Sequence, residues 1–358
     1  MTLIPRGDGC HALTGMDLRP LLHSLETLPQ EPVPRTHPRH WAFRLKRAAD
    51  FFGHARPETS GFFRRINPYP KPWQHKWLRA DDGVDIAAWY GPVEREAPFG
   101  LVLVPGMFST KDDTIHKRRA LRMWRAWDIP IVALDLRAFG ESKGIATGGW
   151  KESLDIHAAA RFLVEEAGVG RVALLAESMG GAAALNALAH DARSHSGFIT
   201  GGALCFSAFV DVRDAVNYIS SEPPKDDPFH MQWAGFRRML RFRSSGGYEN
   251  FRDYMEDAAR VNGLASFDEL VEIANPKWKT SMIEAPTLLV HAADDPVVPV
   301  RHARRMERYA KDQTNIQVMV TSWGQHTGFE GMDPWWFWEV MRRFYGTVNG
   351  VELAHPSK

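Results

Sequence analysis

Ser178 stands where a hydrophobic run becomes a small-residue run. RVALLAE (171–177) is a continuous apolar stretch, the pattern of a strand buried on both faces. SMGGAAALNALAHDA (178–192) follows it with helical character. A serine at a strand-to-helix turn has its hydroxyl lifted above the sheet edge. Strand and helix pass close together there, so the flanking residues must be small, and Ala176, Gly180 and Gly181 meet that demand. The string reads A-x-S-x-G, a methyl away from G-x-S-x-G.

A serine hydroxyl is a poor nucleophile without a base beside it. The chain has 15 histidines, and position singles out His326. It lies between Gly324 and Gly328, directly after IQVMVTSW (316–323), in a loop that follows the last strand-like run. The base in turn needs a carboxylate that orients the imidazole and stabilises its charged form. Asp295 is the expected partner, because Asp294-Asp295-Pro296 follows the preceding strand-like run APTLLVHA (285–292). Asp294 is expected to cap or hydrogen-bond locally. The order Ser, Asp, His is one of the known orders for this chemistry.

An oxyanion forming on an attacked carbonyl needs two donors. The N–H of Met179, just after the serine, is the first. The second is expected from Val104-Pro105-Gly106-Met107-Phe108, with the N–H of Met107 as the donor and Phe108 as the alternative. This scheme calls for no metal and no organic cofactor. Cys10 and Cys205 are the whole cysteine content, which excludes a disulfide scaffold and a cysteine-based zinc site. His37 and His40 are three residues apart, but Pro38 lies between them and the segment reads as a surface loop.

These groups need a frame to bring them together. GLVLVPG (100–106), IPIVALD (129–135), RVALLAE, GGALCFSAF (201–209), APTLLVHA and IQVMVTSW alternate with helical stretches, including 112–127, 150–168 and 301–311. Such alternation implies an α/β fold: a mostly parallel central sheet with helices on both faces. HKWLRA and VDIAAWYG, joined at Asp82-Gly83, read as a hairpin ahead of it. Residues 211–282 interrupt the rhythm with helical stretches alone. The expected organisation is an N-terminal arm (1–72), a first core segment (73–210), a helical cap (211–282) and a second core segment (283–358).

Composition bounds the rest. Lys and Arg total 44 against 43 Asp and Glu, and a net charge of +1 argues against a nucleic-acid partner. No stretch approaches the roughly 20 apolar residues of a membrane span, and the first residues do not read as a signal peptide. A cytoplasmic protein is the expectation. The 13 Trp and 20 Phe are explained by a large aromatic core or by an apolar pocket.

With these residues in view, the sequence resembles the α/β-hydrolase superfamily, in the branch with a helical cap between strands six and seven and a G-x-H-x-G-F loop. The resemblance covers about residues 74–347 and rests on LVLVPG, LDLRAFGESKG (134–144), LLAESMGG, PTLLVHAADDPVVP (286–299) and GQHTGF (324–329). Ala176 departs from the usual glycine, and Pro105 from the common histidine before Gly106. The resemblance implies hydrolysis of an ester or related acyl bond of a small molecule, by Ser178, His326 and Asp295. Members with an aspartate nucleophile are disfavoured because Ser178 holds that place. Phe108, Trp233, Phe236, Met239 and Leu240 are candidate substrate-binding residues, or, in the cap, packing residues. A thioesterase or acyltransferase, a carbon–carbon bond hydrolase and a non-catalytic binding protein on the same fold stay open. The arm leaves two roles open, contact in a homodimer or closure over the cleft.

Overall fold

The computed structural model describes residues 15–34, 36–53, 65, 67–221, 248 and 250–356. Eight strands form one sheet in the order β1-β2-β4-β3-β5-β6-β7-β8. They are β1 (Gln74–Arg79), β2 (Asp85–Gly91), β3 (Gly100–Val104), β4 (Ile131–Leu134), β5 (Val172–Glu177), β6 (Ala203–Phe206), β7 (Thr287–Ala292) and β8 (Ile316–Thr321). β1 and β2 form the antiparallel hairpin, and β2 pairs antiparallel with β4. From β4 onward the sheet is parallel.

The central strands are continuous apolar runs because both of their faces are covered. Val102, Val132, Leu174 and Cys205 face one core layer, packed with α4 (Glu152–Glu165) and α5 (Met179–Ser194). Leu101, Ile131, Ala173 and Leu204 face the other, packed with α3 (Thr114–Trp127) and the aromatic helix α11 (Pro334–Asn349). In α11, Trp336, Phe337 and Trp338 are buried while Trp335 is exposed, so this aromatic cluster is core. α5 is rich in alanine because it lies close on the sheet: a Cβ on Gly181 would come within 2.5 Å of the Ala208 Cβ.

In the N-terminal segment, α1 (Arg19–Glu26) buries Leu21 and Leu25, and the Leu18 N–H donates to the Thr314 carbonyl at 2.9 Å. α2 (Pro38–Gly53) begins at the proline expected to sit in a loop. Proline suits the first turn of a helix, where an N–H has no intrahelical acceptor. His40 is accordingly 1% exposed, which corrects the surface-loop reading.

Between β6 and β7 the described chain forms α6 (Val212–Ser220), α7 (Phe251–Val261), α8 (Phe267–Ala274) and a 3-10 turn, Pro276–Met282. Asp211, Asn250 and Ser266 each accept a backbone N–H at the start of these helices, the usual work of such side chains at an N-cap. Tyr254 of α7 accepts the Ala146 N–H at 3.1 Å, which ties the segment to the loop after β4. Trp233, Phe236, Met239 and Leu240 lie outside the described residues. α9 (Arg301–Tyr309) and the short α10 (Phe329–Met332) complete the elements that flank the last two strands.

Candidate active site

β5 ends at Glu177 and α5 begins at Met179, so Ser178 alone makes the turn. Its φ of 55° and ψ of −121° lie outside the regions that side chains favour. Such strain persists only where the surroundings fix it. Here the Ser178 N–H is held by the Phe206 carbonyl at 2.9 Å. A Cβ on Gly180 would press into the Pro105 carbonyl oxygen and stand 2.8 Å from that of Val104. Ala176 is fully buried between Val104 and Cys205, so the extra methyl is accommodated within the sheet.

The loop after β3 runs beside the serine. A Cβ on Gly106 would lie 3.1 Å from the Ser178 Cβ and 3.7 Å from its Oγ. Met107 is half-buried there, and Phe108 turns back with a φ of 64°. The Phe108 ring is buried and meets Phe139 edge-on at 5.6 Å, so it packs beneath the loop. Met179 opens α5, where first-turn N–H groups have no acceptor inside the helix.

His326 reaches this point from the loop after β8. Its Nε2 lies 3.0 Å from the Ser178 Oγ, although the residues are 148 apart in the chain. Gly324, Gln325 and Thr327 all take positive φ to make the loop. Asp294 anchors it by accepting the Gln325 N–H at 2.8 Å, and the Thr327 N–H donates to the Ser207 Oγ at 3.3 Å.

Asp295 lies on the far side of the imidazole, with its carboxylate oxygens 3.0 and 3.1 Å from His326 Nδ1. Its Oδ1 also accepts the N–H groups of Val297 and Val298, each at 2.9 Å. Burial alone would raise this carboxyl's pKa, but His326, His291 and the Val298 N–H outweigh it and hold the pKa below the ordinary value. An ionised Asp295 accepts the proton on Nδ1, which leaves the Nε2 lone pair aimed at the serine. A second imidazole, His291, lies nearby, with Nε2 3.9 Å from Asp295. Burial lowers its pKa, and as a neutral ring it donates to the Val298 carbonyl at 2.8 Å.

Two buried charge clusters hold these loops, and sequence reading did not find them. In the first, Arg119 of α3 joins Glu177 at 2.7 Å to Glu330 of α10 at 2.6 Å. One carboxylate immediately precedes Ser178, and the other lies four residues after His326. Arg119 also stands over the Phe337 ring, 4.7 Å from its centroid. Burial would lower the pKa of Arg119, but the two carboxylates outweigh it and raise it. In the second cluster, Lys111 contacts Asp112 and Asp135 at 2.8 Å and Glu141 at 2.9 Å. Asp135 also accepts the backbone N–H groups of Lys111 and Glu141. The loop after β3 is thereby fastened to the DLRAFGES loop after β4. The helical pattern of 112–127 was legible, but the burial of Arg119 was not, because helical periodicity does not say which charged residues meet carboxylates from distant segments.

Comparisons with known proteins agree with this architecture. The model of the family described as serine aminopeptidase, S33 matches residues 100–327. A Synechocystis sp. protein named "Putative esterase slr0264" is 23% identical over 290 residues, covering 72% of this chain and 77% of that protein. The structure of an esterase from Pyrococcus furiosus shares the fold with a TM-score of 0.55 at 16% identity, covering 79% of this chain and 94% of that one. An α/β hydrolase from Penicillium sp. sh18 does so at 0.54 and 16% identity, over 78% and 99%. The family match spans strands β3 to β8, the turn at Ser178 and the loop as far as His326, and on that ground the chain belongs to the α/β-hydrolase family described as serine aminopeptidase, S33.

Proposed function

We propose that the protein is a serine hydrolase that cleaves a carboxylic ester with an apolar or bulky acyl group. Ser178 Oγ attacks the ester carbonyl as His326 Nε2 takes its proton. Asp295 holds the imidazole and stabilises its charged form. The N–H groups of Met179 and Met107 receive the negative charge that develops on the carbonyl oxygen. His326 then returns the proton to the departing alkoxide, leaving the acyl group on Ser178. Water, activated by the same imidazole, hydrolyses that acyl-enzyme and frees the acid.

The observation that carries this reading is the hydrogen-bonded line from Ser178 Oγ through His326 to the buried Asp295, with each link at 3.0 Å. A serine held at an unfavourable φ beside an imidazole is costly, and such strain is concentrated at functional sites. The esterase named among the relatives is consistent with an ester substrate. The β6–β7 segment, about 211–282, would act as the cap, and Trp233, Phe236, Met239 and Leu240, which lie outside the described residues, are proposed to bind the acyl group. Phe108, in the loop beside Ser178, is proposed to bind substrate with them. The reading carries with it a small-molecule partner and a cytoplasmic setting; among the described residues no helix is long and apolar enough to cross a membrane.

The test is a chain-length series of p-nitrophenyl esters and matched thioesters, run on the natural chain and on Ser178→Ala. Ester turnover should fall by roughly four orders of magnitude or more in the variant. Turnover by Ser178→Ala at the natural rate would overturn the assignment. A preference for thioesters, for transfer to an added alcohol, or for a carbon–carbon bond would move the same three side chains to a different reaction.

A further inference from the structure

Away from the serine, three segments bring a carboxylate and two imidazoles together. Asp81 lies in the turn between β1 and β2, His157 on α4 and His190 near the end of α5. One candidate ligand atom from each lies within 4.8 Å of the other two. The imidazole rings of His157 and His190 meet edge-on at 4.9 Å. Twelve residues of α5 separate His190 from Ser178, or about 18 Å at the helical rise, so this cluster is not part of the candidate active site.

The protonation pattern decides what the cluster can hold. His157 is 5% exposed. Its Nε2 lies 3.0 Å from Ser196 Oγ, and Ser196 Oγ lies 2.6 Å from Asp191 Oδ1. A carboxylate only accepts, so the serine gives its proton to Asp191 and accepts one from His157 Nε2. With its proton on Nε2, the neutral ring carries a lone pair on Nδ1. That atom is buried, makes no hydrogen bond and faces Asp81 Oδ2 at 3.5 Å. A lone pair facing a carboxylate oxygen, with a second imidazole alongside, is the donor set of a cation. The Asp81 Oδ1 atom is already paired with Arg161, which fixes the carboxylate and leaves Oδ2 available.

We propose that Asp81, His157 and His190 bind a divalent transition cation of the zinc class. Two imidazoles and a carboxylate suit that class, and neighbouring ligand atoms of a tetrahedral zinc lie about 3.3–3.5 Å apart, given metal–ligand distances near 2.0–2.1 Å. Three protein ligands leave a fourth position for water. The Ser196–Asp191 pair is the outer support that sets the His157 tautomer, a role such partners commonly fill. The ion would pin the β1–β2 hairpin to α4 and α5 and would take no part in ester cleavage.

The full chain, stripped with a chelator, is titrated with Zn²⁺ and separately with Co²⁺. Bound metal is measured by mass spectrometry after desalting, alongside the visible absorption of Co²⁺ and the melting temperature. The natural chain should retain one ion and melt higher with it. His190→Gln and, independently, the turn variant Asp81→Asn should each weaken binding at least about tenfold. Their metal-free ester hydrolysis should equal that of the metal-free natural chain. Failure of the natural chain to bind either ion overturns the proposal. So does equal binding by the natural chain and both variants, which would place the metal elsewhere among the histidines.

Discussion

Replacing Arg119 by methionine should be among the most damaging single changes outside the reacting groups. Arg119 is 2% exposed and bonds Glu177 and Glu330, each 3% exposed. At an effective dielectric of 20 and about 4 Å between charge centres, each pair is worth about 4 kcal/mol before desolvation is counted. Methionine fills similar volume but removes the cation that Glu177 and Glu330 share, leaving Arg118 at 2.8 Å on Glu330 and His116 at 3.7 Å on Glu177. Breaking a buried pair in this way costs about 3–5 kcal/mol. Unfolding entropy of about 2.1 cal/mol/K per residue gives roughly 0.75 kcal/mol/K for a chain of 358 residues, so the melting temperature should fall by about 5 °C. Scanning calorimetry with parallel ester kinetics is the assay. Because Glu177 adjoins Ser178 and Glu330 follows the His326 loop, kcat should fall more than KM rises. Adding Glu177→Gln and Glu330→Gln to the methionine variant should restore most of the stability. An Arg119→Met chain that melts within about 1 °C of the natural one would refute the reasoning.

Other outcomes follow from single contacts. Gly180→Ala should abolish ester turnover and destabilise the chain, because its methyl would press on the Pro105 carbonyl beside Ser178; unchanged turnover would mean that the elbow can open freely. Arg342 and then Arg343 hold the Glu339 carboxyl at a pKa of about 2, below the ordinary 4.5. The unfolded chain therefore takes up this proton first as pH falls, and stability present above about 4.5 is lost toward about 2. Solvent screening limits the effect to about 1 kcal/mol. Glu339→Gln should flatten that part of an acid-unfolding curve and leave the neutral pH region of the curve with a similar slope. Burial pushes the Cys205 thiol up to about 12. A Cys10→Ser chain should thus resist thiol reagents at about pH 8 until it unfolds, as followed by mass spectrometry.

The parts that were legible in the sequence are those written in local patterns. Strand runs such as LVLV and ALLAE are apolar because both sheet faces are covered, and that pattern is visible without coordinates. The Ser178 turn was legible because close approach of strand and helix demands small neighbours at 176, 180 and 181. His326 and Asp295 were legible from their places after β8 and β7. Nothing local marks Arg119, Lys111 or the Asp81–His157–His190 group, since each depends on partners from segments far apart in the chain. Pro38 misled because a proline that ends one helix equally begins another, and only tertiary packing decides which. The contact of Phe108 with Phe139 joins the loops after β3 and β4, and nothing local in the sequence marks that pair.

The central claim is that Ser178 is made nucleophilic by His326, and it is tested most directly by a fluorophosphonate probe with peptide mapping of the adduct. The natural chain should carry one phosphonyl group, on the peptide that contains Ser178. Ser178→Ala should carry none, and His326→Ala should label at least about a hundredfold more slowly while remaining folded. Labelling at a different residue, or equal labelling rates with and without the imidazole, would contradict the account.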